Sequence, residues 1–125
     1  MKRDWDVIRQ VLTDIEAIAP SAKDKFSIGV SRDEKDEEKQ IFVAHVFLLR
    51  DAGFIKGSNS STMAGKSILA PDLTWEGHEL LATIRSRPVW EKIKSTAQEK
   101  GIELSFDAVV QLGKAAVAWV VAQAG

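Results

Sequence analysis

The stretch Leu73-Thr74-Trp75-Glu76-Gly77-His78-Glu79-Leu80-Leu81 decides how this chain folds. Leu73 ends an apolar strand, and the Thr74 hydroxyl can take up amide donors that a new helix leaves without partners. Leu80, Leu81 and Ile84 then return apolar groups to one face at helical spacing. A strand that passes directly into an amphipathic helix closes the hairpin before it. Nothing in the stretch is chemically reactive, so it points to a fold and only faintly to a task.

Working upstream, the segment from Gly57 to Lys66 is small, polar and bracketed by glycines. It predicts a flexible hairpin tip between a strand begun by Phe54-Ile55-Lys56 and a returning strand near Ser67 to Ala70. Between Ala52 and Pro71 the only charged residues are Lys56 and Lys66, so this loop is locally basic and free of acids. Ahead of it, Ile41, Phe42, Ala44, His45, Leu48, Leu49 and Ala52 cover one broad helix face, with Gly53 placed for a C-terminal cap. Ser31 and Glu34 have the spacing of a capping box for that helix, and the charged run from Asp33 to Lys39 reads as its solvated face. Lys25 to Val30 alternates well enough for a short strand. Trp5, Ile8, Val11, Leu12 and Ile15 predict an amphipathic first helix from Arg3 to Ala19, stopped near Pro20.

Downstream, Pro88 suits a first helical position and opens a helix with Val89, Trp90, Ile93 and Ala97 on one side, ending at Lys100-Gly101. Ser105 can cap a last helix, whose stripe through Phe106, Val109, Val110, Gly113, Ala116, Val117, Val120 and Val121 is widened by Leu112, Ala115, Ala118 and Trp119. Gln111, Lys114 and Gln123 leave an apolar run of about eight residues, against the roughly twenty that a bilayer requires. Membrane insertion is therefore not expected. Self-association is, because the apolar surface is too wide for one neighbour and its small residues admit a close approach.

The chain has 125 residues and 45% apolar side chains, enough for one well-packed core. Seventeen Lys and Arg balance eighteen Asp and Glu, so overall charge gives no attraction to phosphate backbones, and any nucleic-acid binding must come from a local patch. There is no cysteine, which excludes disulfides and thiolate chemistry and suits a reducing cytoplasm. The charged start Met1-Lys2-Arg3-Asp4-Trp5-Asp6 lacks the apolar core of a signal peptide.

These elements predict an α+β chain, mainly α. A winged-helix-like N-terminal core with a small β-hairpin wing spans residues 1–86, and a C-terminal helical hairpin over 87–125 packs on that core and serves dimerisation. In this order the chain resembles the uncharacterised, phage-associated bacterial family catalogued as domain of unknown function 2513. The residues that carry the resemblance are the opening Met1 to Asp6 with Ile8-Arg9, His45 followed by Leu48-Leu49-Arg50-Asp51-Ala52-Gly53-Phe54-Ile55, Leu73-Thr74-Trp75-Glu76-Gly77-His78-Glu79, and Val89-Trp90. The resemblance implies a winged-helix-like fold and no established activity. Between Ala19 and Lys39 the charged stretch stands where a standard regulator has a helix-turn-helix.

The usual signatures of catalysis are missing. His78-Glu79 has Ala82 where a zinc protease has its second histidine, and His45 and His78 are expected to make structural hydrogen bonds. The string from Ser60 to Ser67 approaches a phosphate-binding P-loop, but Ser60 replaces the first glycine and Pro71 follows where a helix should run. The four tryptophans, one per helix, read as core anchors. No catalytic residue, metal or cofactor is expected. The expected function is that of a cytoplasmic, non-enzymatic winged-helix protein of phage or prophage type that binds double-stranded DNA and regulates transcription. Lys39, Gln40 and Arg50 on the third element and Lys56, Asn59 and Lys66 on the wing are its candidate DNA contacts. The alternative is a protein-interaction module, in which the apolar C-terminal helices form a homo-oligomer or capture a protein partner.

Overall fold

The structure, a computed structural model, describes residues 2–124. Met1, which begins the opening motif, and Gly125, which ends the C-terminal extension, lie outside the described residues. The elements run α1 (Trp5–Glu16), a 3-10 turn (Lys23–Lys25), β1 (Ser27–Ser31), α2 (Glu37–Asp51), β2 (Ile55–Asn59), β3 (Gly65–Leu73), α3 (Trp75–Arg85), α4 (Arg87–Lys100) and α5 (Phe106–Ala124). The chain is α+β and mainly helical, with one antiparallel sheet of order β1-β3-β2. It forms two compact units, one through His78 and one from Glu79. The division falls inside α3. Helix, strand, helix and hairpin in this sheet order are compatible with a winged helix. Among the described residues a single helix, α2, lies between β1 and β2, so no helix-turn-helix precedes the hairpin.

In the first unit α1 starts at Asp4, whose carboxylate accepts from the Asp6 and Val7 amides, and it buries Ile8, Val11, Leu12 and Ile15. The cap of α2 departs from expectation. Ser31 belongs to β1, opposite Gly65, and its hydroxyl accepts only from the Asp33 amide in the turn that follows. Asp36 caps α2 instead, accepting from the Glu38 amide at 3.0 Å and the Lys39 amide at 3.5 Å, with Glu37 and Glu38 favourably placed in the first turn. The charged run is thus turn and irregular backbone through Asp36 and helix from Glu37 to Lys39. At the far end Gly53 takes φ +89°, and the amides of Gly53 and Phe54 reach back to the carbonyls of Arg50 and Leu49, a Schellman closure that favours glycine. Val43, Val46 and Leu49 are buried, and α2 packs with α1 and all three strands.

The Leu-Thr-x-x-Gly stretch ties three elements at one junction. Leu73 pairs with Ile55 and is buried. The Thr74 amide donates to the Phe54 carbonyl at 3.1 Å. Its hydroxyl donates to the Gly53 carbonyl at 2.7 Å and accepts the Gly77 amide at 3.1 Å. Gly77 is needed for space: a Cβ there would lie 2.0 Å from the Phe54 carbonyl oxygen.

In the second unit α4 and α5 pack together. Arg87 is the first residue of α4 and Pro88 the next, one position later than expected; Gly101 closes the helix at φ +64°. The Ser105 hydroxyl caps α5 by accepting the Ala108 amide at 3.1 Å. Val109, Gly113 and Ala116 form the buried side of α5. Val110, Val117 and Val121 stay exposed, Val121 at 65%. No helix among the described residues is long and apolar enough to cross a membrane. The tryptophans do not all anchor the core: Trp90 is buried, but Trp75 is 73% exposed and Trp119 is 46% exposed, with the Lys92 ammonium 4.5 Å from its ring centroid. Short apolar stripes cannot distinguish a core position from its rim, and bulky rings overhang the rim.

Candidate nucleic-acid interface

The pairing of β1 with β3 sets the end of one strand beside the start of the other. Val30 faces Lys66, Ser31 faces Gly65, and the Arg32 amide donates to the Ala64 carbonyl at 2.7 Å. Close approach requires glycine at 65, where a Cβ would meet the Val30 carbonyl at 2.2 Å. The result is an open cleft of about 380 Å³ lined by Val30, Ser31, Arg32, Gln40, Thr62, Met63, Gly65 and Lys66. It holds two cations and no carboxylate. Among the described residues the Arg32 side chain has no ion-pair partner, while the Lys66 ammonium lies 5.4 Å from the Phe47 ring centroid.

The hairpin tip is pinned rather than loose. The Thr62 amide donates to the Gly65 carbonyl at 2.9 Å and the Gly65 amide returns the bond at 3.2 Å. Side chains fix the rest: the Asn59 carboxamide oxygen accepts from the Ser61 amide, the Thr62 hydroxyl from the Ala64 amide and the Ser61 hydroxyl from the Ser67 amide, each at 3.0–3.1 Å. The same serines, threonine and asparagine that suggest a flexible loop supply the acceptors that order it. Met63 projects from this frame at 86% exposure.

The six expected contact residues divide among several settings. Gln40 and Lys66 share the cleft with Arg32. The Gln40 side-chain amide donates to the Glu34 carbonyl, and Asn59 is engaged in the tip. Lys39 pairs with Glu34 at 3.4 Å and lines a separate cleft with Asp36 and Glu38. Arg50 donates from Nε to the Gly57 carbonyl at 2.9 Å, where β2 bulges between Lys56 and Ser58. Lys56 pairs opposite Asp72 at the other end of the hairpin, in a cleft shared with Lys23 and Ala70. Ala70 holds φ +54°, the one non-glycine residue with positive φ among the described residues. Burial pushes the Asp72 carboxyl up, but the Lys23 hydrogen bond, the Leu73 amide and the charges of Lys23 and Lys56 outweigh it and hold the group below its ordinary value. Local spacing does not reveal Arg32, because its proximity to the hairpin tip arises only from the long-range β1–β3 pairing.

Of the two histidines only His45 makes the structural side-chain hydrogen bonds expected of both, among the described residues. His45 is fully buried; its Nε2 accepts the Asp4 amide at 3.0 Å, so Nδ1 carries the proton and donates to the Ile41 carbonyl at 2.8 Å. His78 is exposed in the first turns of α3. No group of three or more His, Asp or Glu side chains that could hold a metal occurs among the described residues.

The comparisons with known proteins agree on the relationship and assign no activity. An uncharacterized protein of Haemophilus influenzae (strain ATCC 51907 / DSM 11121 / KW20 / Rd) is 33% identical over 122 residues, covering 98% of this chain and 100% of that one. No solved structure matches the chain. The family model described as "Hypothetical protein (DUF2513)" matches residues 2–103, and the chain belongs to that family.

Proposed function

We propose that this protein is a non-enzymatic, cytoplasmic DNA-binding protein that holds duplex DNA through the wing side of its first unit. The observation that carries this is the acid-free cleft in which Arg32 and Lys66 stand together beside an ordered hairpin tip. Phosphate contacts from such donors supply sequence-independent affinity, and the nearby Gln40 can add a polar contact. The α2 helix is a poor major-groove reader. Its Lys39 and Arg50 have partners within the protein, and the carboxylates of Asp36, Glu37 and Glu38 crowd its start. Fluorescence anisotropy with labelled random duplex across a salt series tests the proposal. Binding should weaken as salt rises, and Arg32→Ala and Lys66→Ala should each flatten the slope by about one unit. Absence of binding at low salt would reject it.

Self-association is favoured by a separate feature, the exposed Val110, Val117 and Val121 row along α5. A second copy would cover it and give a regulator two DNA-contacting units. Sedimentation should then show a dimer at micromolar concentration, and Val117→Lys combined with Val121→Lys should return it to a monomer. A wild-type monomer would exclude this assembly.

A further inference from the structure

We propose that the tip of the β2–β3 hairpin is a minor-groove wedge, in which Met63 inserts at a base step while Arg32 and Lys66 hold the flanking phosphates. The inference rests on the DNA-binding proposal and goes beyond it by naming a mode of recognition. Met63 is 86% exposed, the most exposed large apolar side chain among the described residues. It is displayed by a turn whose backbone is fixed at Ser61, Thr62, Ala64 and Gly65, so little order remains to be imposed when it meets a partner. The residues around it, Ser60, Ser61, Thr62, Ala64 and Gly65, are small, so little side-chain bulk opposes its entry into a groove about 6 Å wide. An apolar wedge beside cations suits a target that offers an apolar interior between two rows of anions, and duplex DNA opened at one step does so. A lipid surface also combines anions with apolar matter, but one methionine on a hairpin provides far less apolar area than surface anchoring needs.

Wedging also sets a sequence preference without base-edge hydrogen bonds. Pyrimidine–purine steps unstack most readily and stiff A-tracts least, so a duplex with a central TA step should bind better than an A-tract of equal length. The experiment uses the full chain and two duplexes carrying 2-aminopurine, one at a TA step and one within an A-tract. Anisotropy reports binding and 2-aminopurine emission reports unstacking. The wild type should bind, raise emission at the TA step and leave the A-tract dark. Met63→Ala should keep the salt slope, lose the emission change and bind roughly tenfold more weakly; Met63→Leu should restore both. Because Met63 is exposed, neither substitution threatens the fold, and circular dichroism checks that. Wild-type binding without unstacking, or unstacking that survives Met63→Ala, overturns the wedge and leaves the DNA-binding proposal standing. No binding to either duplex overturns both, as does Met63-dependent binding to phosphatidylserine vesicles in its place.

Discussion

Replacing Gly77 by alanine tests the junction on which the fold turns. Judged by helix propensity alone, Gly77→Ala inside α3 should stabilise the protein by about 0.5–1 kcal/mol. The surroundings say otherwise. The new Cβ would stand 2.0 Å from the Phe54 carbonyl oxygen and 3.1 Å from its carbon, so the start of α3 or the α2–β2 connection must move by about 1.5 Å to restore ordinary contact. That oxygen accepts the Thr74 amide, and the Thr74 hydroxyl holds both the Gly53 carbonyl and the Gly77 amide, so movement strains three hydrogen bonds together. Overpacking costs about 1–3 kcal/mol and one lost bond about 1 kcal/mol, which after the propensity gain leaves a net destabilisation of about 1–3.5 kcal/mol. Urea unfolding followed by circular dichroism should show a lower midpoint at unchanged slope. Gly101→Ala is the matched control: φ is +64° and nothing lies within 4 Å, so only the backbone penalty of about 1 kcal/mol applies. A Gly77→Ala protein as stable as the wild type, or less affected than Gly101→Ala, would refute the account of the junction.

Other substitutions probe the remaining features. His45→Leu should cost about 1–3 kcal/mol in urea unfolding because the Asp4 amide loses its acceptor, and His45→Gln should recover part of this through its carboxamide oxygen; equal losses would deny the hydrogen bond its role. The Asp72 carboxyl titrates below its ordinary value, so its contribution is full above the unfolded pKa and disappears as pH falls through the folded one. Asp72→Asn should therefore destabilise by under about 1 kcal/mol at pH 7 and by progressively less as the pH falls through the folded-state pKa, and a pH-independent difference would contradict this. Lys56→Ala should leave the salt slope of DNA binding nearly intact, because Lys56 stands at the other end of the hairpin from the Arg32–Lys66 cleft; a slope as flat as that of Lys66→Ala would extend the contact surface along the whole hairpin.

What could be read from the sequence was local. The stripes of α1, α2, α4 and α5, the Gly53 closure and the Leu73–Thr74–Gly77 junction depend on residues within a turn or two of one another, and each shows its own spacing. The helix cap is not legible in the same way: Ser31 and Asp36 both qualify by type, and Asp36 takes the role because Ser31 is held in β1 opposite Gly65. Membership of the cleft was hidden for the same reason. Arg32 and Lys66 are brought together by strand pairing, and Lys39 and Arg50 are withdrawn by partners that no spacing reveals, a side-chain carboxylate at Glu34 and a backbone carbonyl at a bulge.

The order of the sheet has a consequence for how the site comes into being. β2 and β3 are consecutive and can zip from their own turn, whereas β1 reaches β3 only after the chain has closed around all of α2 and β2, a slower and entropically dearer step. A folding intermediate with a complete hairpin and an undocked β1 would carry Met63 and Lys66 but lack Arg32 beside them. In the native protein β1 is also an edge strand, held by β3 alone among the strands. Amide hydrogen exchange should thus find β1 opening before the core of α1 and α2, and each such opening would dismantle the cationic cleft while the β2–β3 hairpin stays formed.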